Sequence, residues 1–88
     1  MATSKIFSVF DSKAAAYLPP TFMQSRGVAI RSFGAAASDD KHEFCRFASD
    51  FTLFELGEFD DSNGSFTLHS APIPLGTAFE LKAQTTNT

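Results

Sequence analysis

Two histidines and one cysteine are the side chains of this 88-residue chain best suited to metal binding or nucleophilic catalysis. His42 and Cys45 are three positions apart, and His69 offers a third donor. A structural zinc site takes four ligands, usually with several cysteines among them. Nothing around Cys45 matches a nucleophile motif, and a lone thiol in a Phe-rich segment is usually inert. We therefore expect no metal, no cofactor and no catalytic residue, so the protein is not expected to be an enzyme.

The acidic segment before Gly64 invites a calcium-loop interpretation, because Asp60 and Asp61 precede that glycine closely. An EF-hand loop with Gly64 at its sixth position needs an acid at the first position and a glutamate at the twelfth. Those positions hold Phe59 and Ser70. The segment instead has the composition of a solvated hairpin turn.

Cations and aromatic rings occur together in the segment before the first predicted helix and in the first turns of that helix. The residues concerned are Lys13, Tyr17, Phe22, Arg26 and Arg31. Single-stranded nucleic acid is bound in this way, because bases stack on rings while cations neutralise phosphates. We take these five residues as the predicted nucleic-acid site. Two alternatives stay open: the rings anchor the strand-to-helix connection in the core, or the apolar loop contacts a protein partner.

The secondary-structure elements that position this site follow from hydrophobic spacing. Residues 5–10 predict a strand with apolar side chains on both faces. Ser25 is placed to cap a helix that begins near Arg26. One stripe of small and apolar residues runs along this helix: Ile30, Phe33, Gly34 and Ala37. A shorter second helix would carry Phe44 and Phe47 on one face.

Two Phe-rich runs around a polar tip form the clearest hairpin in the chain. We expect strands over 51–59 and 65–69 joined by a long loop, with Phe59 opposite Phe66. A two-residue turn on Asn63-Gly64 is the alternative, since that pair favours such turns. It would place an aspartate opposite Phe66, so we prefer the longer loop.

The preferred register puts five apolar residues on one face of the hairpin: Phe51, Leu53, Phe59, Phe66 and Leu68. Phe54 and Leu56 then point the other way. This conflict in the alternation predicts a β-bulge near Glu55 or Gly57.

The C-terminal part predicts a proline-rich connector at 71–74, a last strand over 75–82 and a frayed polar tail at 83–88. The element order β-α-(α)-β-β-β predicts one domain over residues 1–88. We expect an α+β fold, with a mainly antiparallel sheet of about four strands and one or two helices on one face.

Composition limits the cellular setting and the kinds of partner. Eleven phenylalanines without a tryptophan predict a phenylalanine core, and the net charge of −3 means that DNA binding needs a local basic patch. A single cysteine cannot form an internal disulfide and suits a reducing compartment. The N-terminus lacks the features of a signal peptide, and no apolar run approaches the ~18 residues of a membrane span. We expect a soluble intracellular protein that does not bind a membrane.

Two stretches, KIFSVFDSKA and FELGEFDD, are much longer than a chance motif. Together with AIRSF in the predicted helix and the closing PLGTAFE, they resemble the small nonstructural protein of gokushoviruses. Gokushoviruses are microviruses, phages with small circular single-stranded DNA genomes. The resemblance spans about residues 4–82 and brings no catalytic residues.

The resemblance implies a role in DNA synthesis or packaging. Members of that family are treated as DNA-binding, or as counterparts of the microvirus C protein, which joins the replication complex and directs new single strands into procapsids. The implied partners are DNA, with single strands favoured, and the replication complex or procapsid. The implied location is the host bacterial cytoplasm.

The sequence is also compatible with a homodimer and with a second function. A homodimer that pairs edge strands or the exposed helix face would concentrate a basic patch on an acidic chain. The alternative function is an adaptor that contacts the replicase, the procapsid or a host factor without touching DNA.

Overall fold

A five-stranded sheet and three helices make up the part of the chain that the computed structural model describes, which is residues 3–86 with the side chains of residues 3–82. The elements are β1 (Thr3–Asp11), β2 (Ala16–Tyr17), β3 (Thr21–Met23), α1 (Arg26–Ala37), α2 (Glu43–Arg46), a 3₁₀ turn (Ala48–Asp50), β4 (Phe51–Asp60), β5 (Ser65–Thr77) and α3 (Ala78–Thr86). Every strand pair is antiparallel. The predicted α+β fold is therefore confirmed.

The strand order is β2-β1-β4-β5, and β3 also pairs with β1. Because β1 pairs with β4 along its whole length, β2 and β3 both lie along its other edge, one after the other. The outer strands are thus β2 and β3 on one side and β5 on the other.

The main core lies between one face of this sheet and the helices. It consists of buried residues from the sheet, α1 and α3: Phe7, Ala29, Phe33, Ala37, Phe51, Leu53, Ala78 and Leu81. The Ser25 hydroxyl caps α1 by accepting a hydrogen bond from the Val28 backbone N–H at 3.2 Å. The predicted start of this helix is confirmed. The second helix, α2, is a single turn capped by His42, whose Nδ1 accepts from the Phe44 N–H at 3.0 Å.

The predicted hairpin register is confirmed. Phe59 lies opposite Phe66, a four-residue loop joins the strands, and the pairing shifts between Glu55 and Gly57. The predicted sharing of one face by five apolar residues is wrong. The extra residue in β4 reverses the alternation, so Leu53 packs in the main core while Phe59 contacts rings on the opposite face.

The predicted connector at 71–74 is wrong, and the predicted last strand is confirmed only as far as Thr77. β5 is one continuous strand of thirteen residues, in which Pro74 lies opposite Phe54. The prolines are tolerated because β5 is an outer strand, and the N–H groups on the outer side of such a strand need no partner in the sheet. The chain then enters α3, because Thr77 and Glu80 form a capping box at the start of that helix. The Thr77 N–H donates to Glu80 Oε1 at 2.8 Å, and the Glu80 N–H donates to Thr77 Oγ1 at 3.1 Å. Residues 87–88 of the predicted tail lie outside the described residues.

Candidate functional site

The sheet face turned away from the helices carries a set of partly uncovered rings. Side chains alternate along β1, so Ile6 and Phe10 point away from the face that holds Phe7 in the main core. Phe22 lies opposite Ile6, and Tyr17 lies opposite Phe10. We call this surface the open face, and its apolar side chains are Ile6, Phe10, Tyr17, Phe22, Phe54, Phe59, Phe66 and Leu68.

One cluster of rings on the open face is built around Tyr17. Its ring centroid is 4.9 Å from that of Phe10 and 5.6 Å from that of Phe54. The rings are tilted or perpendicular, which is the arrangement that aromatic quadrupoles favour. Tyr17 is 46 % exposed, so this cluster presents an aromatic surface to solvent.

A second cluster is built around Phe22, whose centroid is 5.6 Å from Phe59 and 6.1 Å from Phe66. Phe22 belongs to β3 and Phe66 to β5, at opposite sides of the sheet. Their contact therefore requires the sheet to curl at this end. Ile6 is buried on the same face, although it is not part of the main core.

Glycine at position 57 is required for the close approach of β5 to β4. A Cβ there would lie 2.3 Å from the Thr67 carbonyl oxygen and 2.8 Å from Leu68 Cα. Both are backbone atoms, so no side-chain movement could make room. Gly57 thus allows β5 to approach β4 closely beneath the second ring cluster.

The five residues of the predicted nucleic-acid site divide between two parts of the fold. Tyr17 and Phe22 lie on the open face, and both are about half exposed. Lys13 is exposed in the turn between β1 and β2, where its N–H donates to Asp11 Oδ1. Arg26 and Arg31 belong to α1, which packs on the helix-covered face. The structure therefore places the two rings in separate clusters on one face, with Lys13 in the turn before β2, and it does not gather the arginines beside them.

A single buried carboxylate, Glu55, holds Arg26, and nothing in the local sequence predicts this pair. Glu55 is only 2 % exposed. Its Oε1 accepts a hydrogen bond from Arg26 Nε at 2.8 Å, and its Oε2 lies 2.7 Å from His69 Nε2. The hydrogen bond from Arg26 has the largest effect and lowers the pKa of Glu55. Burial acts in the opposite direction, but Arg26 together with smaller contributions from His69 and Lys5 keeps this pKa below its ordinary value. The ionised carboxylate ties the start of α1 to the irregular middle of β5.

The remaining candidates for chemistry have structural partners. His42 caps α2, and His69 contacts Glu55. Cys45 Sγ is 3.6 Å from Lys82 Nζ. Within residues 3–86, no three His, Cys, Asp or Glu residues are placed to hold a metal ion together.

The hairpin tip is a hydrogen-bonded turn. Asp60 Oδ1 accepts from both the N–H and the hydroxyl of Ser62, at 2.9 and 2.6 Å, and these bonds lower the pKa of Asp60. Asn63 Oδ1 accepts from the Ser65 N–H at 2.9 Å, and Gly64 has a positive φ of 73°. The tip residues thus serve the turn in the way their composition indicates.

Comparison with known proteins places the chain among those of phages. The family model described as "Phage ORF5 protein" matches residues 4–81. No curated protein and no solved structure matches the chain. None of the described helices is long and apolar enough to cross a membrane. Since the matched region covers nearly the whole chain, the protein belongs to the phage ORF5 protein family.

Proposed function

We propose that the protein binds single-stranded DNA on its open face and acts, without catalysis, in the synthesis or packaging of a phage genome in the host cytoplasm. The observation that carries this proposal is the pair of half-exposed ring clusters around Tyr17 and Phe22. Stacking of an unpaired base on such a ring contributes about 1–3 kcal/mol to the binding free energy, with little dependence on base sequence. Membership of a phage family and the resemblance to the gokushovirus nonstructural protein support this role.

The arrangement favours an unpaired strand over a duplex. The two clusters are centred four residues apart on β1, since Phe22 lies opposite Ile6 and Tyr17 lies opposite Phe10. That spacing corresponds to about 13 Å along the strand. A flexible single strand can place one base on each cluster, whereas the bases of a duplex are stacked on one another.

Charge adds little to this interface. The strands and their turns carry two lysines and five acidic residues: Lys5, Lys13, Asp11, Glu55, Glu58, Asp60 and Asp61. The net charge of this part is therefore −3, which equals the net charge of the whole chain. Lys5 is paired with Glu58 at 3.1 Å. Lys13 is the other lysine of the strands and turns and the candidate for a phosphate contact, but it lines a surface pocket together with Glu43 and Asp50. With one or two phosphates neutralised, the slope of log K against log salt concentration should be about −1.

Fluorescence anisotropy with a labelled single-stranded oligonucleotide and the matching duplex tests the proposal. We expect the single strand to bind more tightly than the duplex. Tyr17→Ala and Phe22→Ala should each weaken binding by about fivefold or more, the equivalent of one lost stacked base. Phe79→Ala is the matched control, because Phe79 is 65 % exposed but lies on α3. Equal loss in all three variants, or none, would contradict the assignment of the open face.

An adaptor is the second candidate function, and the acidic hairpin end favours it. Exposed Phe66 and Leu68 lie next to a strand that ends in Glu58 and Asp60. Such a surface suits a basic, apolar segment of a protein partner. No binding to DNA at low salt, where electrostatic attraction is least screened, would favour this role.

A further inference from the structure

We propose that a second copy of the chain pairs with the outer edge of β5, antiparallel and centred on Thr67, so that two sheets join into one. β5 is the last strand in the sheet order of the described residues. All four residues of Ser65–Leu68 are exposed, and their strand pairing is with β4 on the inner side. Unpaired strand edges of this kind accept another strand.

Only this part of β5 can accept a strand. Between Leu68 and Ile73 the chain leaves the regular register with β4. Pro72 and Pro74 then lack the N–H that strand pairing requires. The edge available to a partner is therefore short and begins at the hairpin tip.

A second copy suits this edge because the edge is complementary to itself. In an antiparallel pair centred on Thr67, Phe66 of one copy lies opposite Leu68 of the other, and the reverse pair forms across the two-fold axis. These side chains are 57 % and 65 % exposed in the single chain. Cross-strand apolar pairs of this kind stabilise antiparallel sheets. Ser65–Leu68 contains no charged residue, so no like charges meet along the pair.

The antiparallel direction also suits the acidic tips. Each Asp60–Asp61 tip would lie beside the His69–Pro72 segment of the other copy, at opposite ends of the pair. A parallel arrangement would bring the two acidic tips together. Antiparallel pairing also makes the two open faces continuous, which would double the aromatic surface. The pairing itself does not depend on DNA binding.

Cysteine cross-linking tests both the pairing and its register. Thr67→Cys is made together with Cys45→Ser, which removes the native thiol. Directly opposed residues of an antiparallel pair have Cα atoms about 4.5–5.5 Å apart, within the range of a disulfide. Ser65→Cys in the same background is the matched control, because its two copies would be about 13 Å apart along the strands. Both sites are exposed and lie on the same strand.

After mild oxidation, we expect Thr67→Cys to form a covalent dimer of twice the 9.5 kDa chain mass, several-fold more completely than Ser65→Cys. Equal cross-linking of the two variants, or none, would overturn the proposed pairing.

Sedimentation provides a second test that needs no new cysteine. Wild type and Phe79→Lys should associate as concentration rises, while Leu68→Lys should stay monomeric, since an edge lysine blocks strand pairing. Phe79 and Leu68 are equally exposed, at 65 %. A monomeric wild type at every concentration, or a dimer that persists in Leu68→Lys, would overturn the proposal.

Discussion

Replacing Glu55 by glutamine should destabilise the fold, although Glu55 touches none of the ring clusters. The carboxylate is 2 % exposed and receives a bond of 2.8 Å from Arg26 and a contact of 2.7 Å from His69. Hydrogen bonds to charged groups contribute about 1.5–3 kcal/mol, and neutral ones about 0.5–1.5. Glutamine keeps the shape and one acceptor but loses the charge in both contacts. We expect a loss of about 1–2 kcal/mol in the free energy of unfolding at neutral pH, since solvent screens part of the Arg26 interaction.

The pH dependence of this effect has a defined sign. Arg26 and His69 lower the pKa of Glu55 below its ordinary value of 4.5. A lowered pKa in the folded state stabilises the protein at pH values above the unfolded pKa, and this stabilisation is lost as pH falls through the folded value. Wild type and Glu55→Gln should therefore differ most near neutral pH, and their stabilities should converge below about pH 4.5.

Urea denaturation followed by circular dichroism measures this difference at neutral and acidic pH, with the slope m expected to stay unchanged. Glu58→Gln is the control, because the Lys5–Glu58 pair is partly exposed and such pairs contribute about 0–1 kcal/mol. A Glu55→Gln variant as stable as wild type at neutral pH would refute the anchoring role. So would a difference that grows as the solution is acidified.

Three further predictions concern the glycines of the hairpin, the cap of α3 and the salt dependence of DNA binding. Gly57→Ala should lower the melting temperature more than Gly64→Ala, because a Cβ at Gly57 meets backbone atoms within 3 Å, whereas alanine at Gly64 meets no atom within 4 Å and is strained only by the positive φ of 73°; thermal melts giving the reverse order would contradict the close approach of β4 and β5. Thr77→Ala should cost about 1 kcal/mol in urea denaturation through loss of the α3 cap; an unchanged midpoint would show that this cap adds nothing to stability. Binding of single-stranded DNA should weaken only about tenfold for a tenfold rise in salt, measured by anisotropy; a steep decline would point to a basic patch outside the open face.

Local patterns predicted the hairpin well, because its register depends on neighbouring residues. Apolar alternation and turn chemistry identified the Phe59–Phe66 pair and the bulge before Gly57. The same alternation misled the interpretation beyond Thr77, where Phe79 and Leu81 continue an apparent strand. There the capping box of Thr77 and Glu80 was the better signal, since it satisfies backbone N–H groups at the start of a helix.

Long-range contacts account for what the sequence could not show about the candidate site. The spacing of Tyr17 and Phe22 predicts that both rings contribute to one site, yet their common face depends on pairing with β1. Its charge and position predict that Arg26 binds phosphate, whereas its partner in the structure, Glu55, is 29 positions away. The sequence does indicate that Glu55 faces the helices, because Glu55 lies two residues after the apolar Leu53 and alternate residues of a strand share a face. No local pattern identifies which cation it meets.

The intrinsic fluorescence of Tyr17 tests the central claim most directly. It is the only tyrosine and the chain has no tryptophan, so its emission reports from the open face alone. The protein is titrated with an unlabelled single-stranded oligonucleotide at low salt, while anisotropy measures binding independently. We predict saturable quenching of Tyr17 by the single strand, with the same midpoint as the anisotropy curve and a much weaker response to duplex. Anisotropy that shows binding while Tyr17 emission stays unchanged, or no binding by either method, would contradict the account.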